Sequence, residues 1–101
     1  MLTSKQRAQL RGLAATEDTI VHIGKGGITD NIVTQMNDAL KARELVKGRV
    51  LENSLLTARE ACDQLAATCR AESVQVIGSK FVLYKRNEQK PKIELVKTSK
   101  K

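Results

Sequence analysis

The chain has 101 residues, 41% of them apolar and 29% charged, with a net charge of +7; this suits one globular domain with its own core rather than a disordered chain. No apolar stretch approaches the roughly 20 residues that cross a bilayer, and Met1-Leu2-Thr3-Ser4-Lys5-Gln6-Arg7 turns polar at once, so no membrane partner and a cytoplasmic location are expected. The charge is uneven: residues 1–79 hold 10 Lys+Arg against 9 Asp+Glu, and residues 80–101 hold 8 against 2, a balance that favours polyanionic partners.

In chain order, the first helix is expected from about Ser4 to Ala15. Thr3 and Gln6 have capping-box spacing, and Leu10, Leu13 and Ala14 form a narrow apolar stripe. Arg7 and Arg11, four apart, share another face. Thr19 to Ile23 reads as a strand, and Gly24-Lys25-Gly26-Gly27 follows it. Thr29 then caps a second helix, with Ile28 and Val33 spaced as a hydrophobic staple. Ile32, Val33, Met36 and Leu40 give that helix a single core face.

Leu45 to Glu52 reads as a second strand. Val46, Gly48 and Val50 fall on one face, Lys47 and Arg49 on the other. Thr57 and Glu60 form a second capping box, opening a helix to about Arg70. Its stripe of Ala58, Ala61, Cys62, Leu65, Ala66 and Cys69 is mostly small, which predicts close packing on a sheet. Cys62 and Cys69 lie seven residues apart, and His22 is distant in sequence. They are therefore expected to be buried apolar residues rather than metal ligands. Ser73 to Gly78 and Lys80 to Arg86 read as a hairpin turning at Gly78-Ser79.

The order α-β-α-β-α-β-β predicts a two-layer α/β fold with a four-stranded mixed sheet: two β-α-β units with parallel pairing, then an antiparallel hairpin strand. Residues 1–86 form the domain, and 87–101 are expected to be a basic, flexible tail. A monomer is expected, since no strong apolar stripe is left over.

The glycine loop is where chemistry is expected. A glycine-rich turn opening a helix presents backbone N–H groups to an anion, and Lys25 adds a full charge. The loop fails the Walker A pattern, because its lysine precedes the last glycines and no Ser or Thr follows it. It fits the dinucleotide pattern poorly, having Thr29 in place of the third glycine. Its G-x-x-G spacing matches a clamp on a nucleic-acid backbone. Aromatic residues make up only 2% of the chain, which excludes a base-stacking platform of several exposed rings.

Four segments, LTSKQRAQLRGLA (Leu2–Ala14), VHIGKGGIT (Val21–Thr29), ALKARELVKGRVL (Ala39–Leu51) and VQVIGSKFVLYKR (Val74–Arg86), resemble the CRM (chloroplast RNA splicing and ribosome maturation) domain. The chain is most similar to its free-standing bacterial members. The resemblance implies a fold related to the C-terminal domain of translation initiation factor three. It also implies non-enzymatic RNA binding, with precursor rRNA of the large ribosomal subunit as partner and no cofactor. Carried over by position, the contact residues are Gly24, Lys25, Gly26 and Gly27, with Arg7, Arg11, Lys47, Arg49 and Lys85 as the adjoining basic surface. The family's last strand commonly ends in Tyr-Arg; here Tyr84 precedes Lys85, which keeps the charge without the bidentate fork.

Two other readings compete. The basic tail could drive generic polyanion or DNA binding. Alternatively, the loop could cradle a phosphorylated substrate of an enzyme. The second lacks support, because His22 is the single histidine and no partner for acid–base work can be picked out.

Overall fold

The computed structural model describes residues 2–87, 89, 93 and 95. Its elements are α1 (Ser4–Ala14), β1 (Thr19–Ile23), α2 (Asp30–Arg43), β2 (Leu45–Val50), α3 (Ala58–Cys69), β3 (Glu72–Ile77) and β4 (Lys80–Tyr84). This is the expected α-β-α-β-α-β-β order around a four-stranded mixed sheet. Both capping boxes form reciprocally: Thr3 with Gln6 opens α1, and Thr57 with Glu60 opens α3. The Thr29 hydroxyl accepts the Ile32 N–H at the start of α2.

The strand order is β1-β2-β4-β3. β1 pairs with β2 in parallel, as the first β-α-β unit requires. The second unit does not pair its own strands, because β4 inserts between β2 and β3, antiparallel to both. Composition explains the insertion. Phe81, Val82, Leu83 and Tyr84 form a continuous apolar run and are all buried, so β4 needs cover on both faces. β3 alternates with polar residues and suits an edge.

The two faces are covered unequally. On one, α2 and α3 form the helix layer over Val21, Ile23, Val46, Val50, Phe81 and Leu83. The α3 stripe is buried as predicted, with Ala66 partly so. Its small side chains let the helix lie close. Gly48 does the same within the sheet: a Cβ there would stand 2.4 Å from Phe81 Cζ. On the other face α1 is the single helix among the described residues, packing Leu10 and Ala14 on Leu45, Val74, Val82 and Tyr84. Leu13, expected in that stripe, is 42% exposed. α1 shares this face with Leu2, Ile93 and Leu95 and buries only its narrowest stripe.

Five element ends come earlier than read, those of α1 at Ala14 and of β3 at Ile77 by one residue each. β2 ends at Val50, and the Leu51 N–H continues the ladder by one bond to the Ile23 carbonyl. α3 ends at Cys69, where Arg70 takes the left-handed conformation (φ 56°). β4 ends at Tyr84: the Lys85 N–H makes one more ladder bond, to the Glu44 carbonyl, but the Glu44 N–H is committed to the Leu40 carbonyl at the end of α2.

That glutamate was not singled out by the sequence. Glu44 is fully buried, with φ 63°. Its carboxylate accepts the N–H groups of Asn87 (2.6 Å) and Ile93 (2.7 Å); charge-assisted bonds of this kind compensate a buried carboxylate. Ile93 and Leu95 pack on the α1 side. The remainder of the expected tail, residues 88, 90–92, 94 and 96–101, lies outside the described residues.

Candidate nucleic-acid interface

β1 and β2 run in parallel, so the loops that follow them leave the sheet at the same end. The first is the glycine loop. The Gly27 N–H donates to the Gly24 carbonyl at 3.0 Å, closing a turn, and Gly27 sits at φ 70°. An L side chain at Gly27 would be strained. The second loop, residues 51–57, packs against the first: a Cβ on Gly24 would meet Asn53 Oδ1 at 3.4 Å and Leu51 Cδ1 at 3.6 Å. The turn is thus held from behind, while Lys25 and Gly26 are exposed in front.

Strand register extends this basic end across the sheet. His22 stands opposite Arg49, and Arg49 opposite Lys80. Directly opposed residues share a face, and here it is the α1 face, since the alternate residues Val46, Gly48 and Val50 are buried under the other helices. One step back along the strands, Lys47 stands opposite Val82. The Lys47 ammonium donates to the Ala14 carbonyl at 3.3 Å, at the C-terminal end of α1. Arg11, Lys47 and Lys80 line one groove between that helix end and the sheet. α1 covers too little of this face to reach Arg49 and Lys80, so both remain in solvent.

The structure therefore gathers Gly24, Lys25, Gly26, Gly27, Arg11, Lys47 and Arg49 along one end and one face. Two expected residues stand apart. The Arg7 guanidinium donates to the Ser73 carbonyl at the start of β3, which gives it a packing role. Lys85 follows Tyr84, at the end of β4 opposite Lys80, and lines a depression with Lys41 and Arg86. Residues absent from the expected surface are His22 and Lys80. Lys80 was signalled by its alternation with Val82 and Tyr84, which puts its side chain on the α1 face.

The two thiols lie away from this surface. Both cysteines are buried on α3. Burial pushes the Cys62 thiol up, opposed by its contact with the Ser73 hydroxyl at 3.3 Å. Burial raises Cys69 as well, with Lys85 opposing it. Thiols held protonated make weak nucleophiles. Among the described residues no group of three His, Cys, Asp or Glu side chains could hold a metal, and no helix is long and apolar enough to cross a membrane.

Comparison with known proteins points one way. The CRS1 / YhbY (CRM) domain family matches residues 2–85. The chain is 41% identical to a Bacillus subtilis protein named "Probable RNA-binding protein YqeI", over 94% of this chain and 99% of that one. It is 32% identical to a Haemophilus influenzae protein named "RNA-binding protein", over 93% and 94% of the two chains. The solution structure of SAV1595 from Staphylococcus aureus superposes with a TM-score of 0.79 at 45% identity, covering 95% of this chain and all of that one.

Proposed function

The chain belongs to the CRS1 / YhbY (CRM) domain family, and on that premise we propose that it binds structured RNA, without catalysis, through the Gly24–Gly27 turn and the basic α1 face beside it. The observation that carries this is contiguity. The turn that leaves β1 and the cationic row Arg49–Lys80 share one end of the sheet, where neither is covered.

The chemistry of each part is distinct. Gly24–Gly27 allow a sugar-phosphate backbone to approach the main chain, and Lys25 pairs with a phosphate as a point charge. Arg11, Lys47, Arg49 and Lys80 continue the track across the sheet. Phe81 and Tyr84 are both buried, so their rings supply no stacking platform, and the His22 imidazole is the one exposed ring on this face among the described residues. Selectivity then comes from RNA shape and backbone course. A folded precursor rRNA of the large ribosomal subunit offers such a surface, and we take it as the substrate of a cytoplasmic, monomeric assembly factor. The names of the two curated relatives support RNA over DNA.

The test is ultraviolet crosslinking in growing cells with sequencing of the attached RNA. Crosslinks gathered at one region of large-subunit precursor rRNA are expected. Crosslinks scattered in proportion to RNA abundance would contradict the assignment and favour generic polyanion binding.

A further inference from the structure

We propose that the groove between the C-terminal end of α1 and the sheet seats one unstacked base of the bound RNA, with the Gln75 amide reading the edge of that base. The inference rests on the RNA-binding reading above and gives that surface a specific subsite.

Gln75 reaches the groove because β3 is irregular. Ser73 pairs with Leu83 and Gln75 with Val82, so two steps on β3 match one on β4. Ser73 faces α3, where its hydroxyl meets Cys62, and simple alternation would send Gln75 the same way. The extra residue, Val74, packs on the α1 side instead, and Gln75 follows it there to line the groove. A bulge that re-aims one side chain is a recurring device beside binding sites. Among the described residues, nothing hydrogen-bonds to the Gln75 amide.

The rest of the groove fits a nucleoside. Its floor is apolar, made by Val82, Ala14 and the edge of Ile77, which is itself 63% exposed. Its rim carries Arg11, Lys47 and Lys80, with no carboxylate among the lining residues. An amide offers both a donor and an acceptor, which suits the edge of an uncharged heterocycle. Cations around the rim suit the phosphates on either side of it. The guanidinium plane of Arg11 can lie on the face of a base, in place of an aromatic ring, which is absent from the residues lining this groove.

The test compares two RNA probes: a short hairpin with a mixed-sequence single-stranded loop, and its twin whose loop carries abasic riboses. The protein is expected to prefer the first by about fivefold, the order set by one net hydrogen bond. Gln75→Leu keeps the side-chain volume and should reduce that preference without altering the salt dependence of binding. Lys25→Ala should weaken both probes alike. A 4-thiouridine placed in the loop should photocrosslink to the peptide containing residues 75–82, a readout available for the unsubstituted protein. Equal affinity for the two probes, a full preference retained by Gln75→Leu, or crosslinks only elsewhere would overturn the base subsite while leaving the RNA reading intact. If Lys25→Ala leaves affinity unchanged and binding shows no salt dependence, the RNA reading itself fails, and the subsite with it.

Discussion

The two faces of this sheet are made from the same strands and differ in cover and charge. Under α2 and α3 the strands present Val21, Ile23, Val46, Val50, Phe81 and Leu83, all buried, with Gly48 leaving room for the Phe81 ring. On the other side, α1 closes only part of the surface, and Lys47, Arg49 and Lys80 stand beside it. β2 belongs to both: its period of two sends Val46, Gly48 and Val50 to the core and Lys47 and Arg49 to the surface. On the proposed reading, stability and recognition are separable residue by residue along a single strand.

Substitutions on the covered face should therefore cost stability and leave the intrinsic RNA contact alone. The largest effect is expected from Leu65→Ala, which empties a fully buried site on α3. It should lower unfolding free energy by about 2–5 kcal/mol in urea titration. Gly48→Ala comes next. Its new Cβ would fall 2.4 and 2.7 Å from atoms of a buried ring, so overpacking should cost about 1–3 kcal/mol. If either variant remains folded below its melting temperature and yet loses RNA binding there, the separation of the faces is wrong.

A smaller effect sharpens the boundary between core and surface. Tyr84 is buried on the α1 side, and its hydroxyl has no hydrogen-bond partner among the described residues. Burial pushes its phenol above the ordinary value of 10.0; the Glu44 carboxylate adds to this and Arg86 opposes it. A raised folded-state value means that ionisation comes earlier in the unfolded chain. The contribution to stability is therefore complete below pH 10 and is lost as pH rises through the folded value. Tyr84→Phe should change stability at pH 7 by no more than about 1 kcal/mol and flatten the alkaline decline seen in thermal melts. An unchanged alkaline limb would show that the phenol is not shielded from water.

Local signals carried much of this fold in the sequence. The capping boxes at Thr3 and Thr57, the cap at Thr29 and the alternation of β2 need only neighbours within a few residues, and each formed as read. Long-range choices were not legible. Nothing near Phe81 says which strand β4 will join; that follows from competition for cover on both faces. The role of Glu44 depends on Asn87 and Ile93, which lie 43 and 49 residues away. The same limit shaped the candidate surface. Lys80 and Lys85 look equivalent as cations flanking β4, yet sheet order and strand direction put Lys80 beside Arg49 and Lys85 at the far end. Gln75 was missed because a bulge breaks the period that sequence reading relies on.

The most direct measurement is the salt dependence of binding to large-subunit rRNA for an Arg49→Ala/Lys80→Ala double variant, set beside Lys85→Ala. These residues share a strand pair and differ mainly in which end of the sheet they occupy. Loss of two phosphate contacts should weaken binding and make the plot of log affinity against log salt shallower by about 1.5, while Lys85→Ala keeps the slope of the unsubstituted protein. A slope that falls with Lys85→Ala and stays unchanged in the double variant would contradict the placement of the RNA on the α1 face.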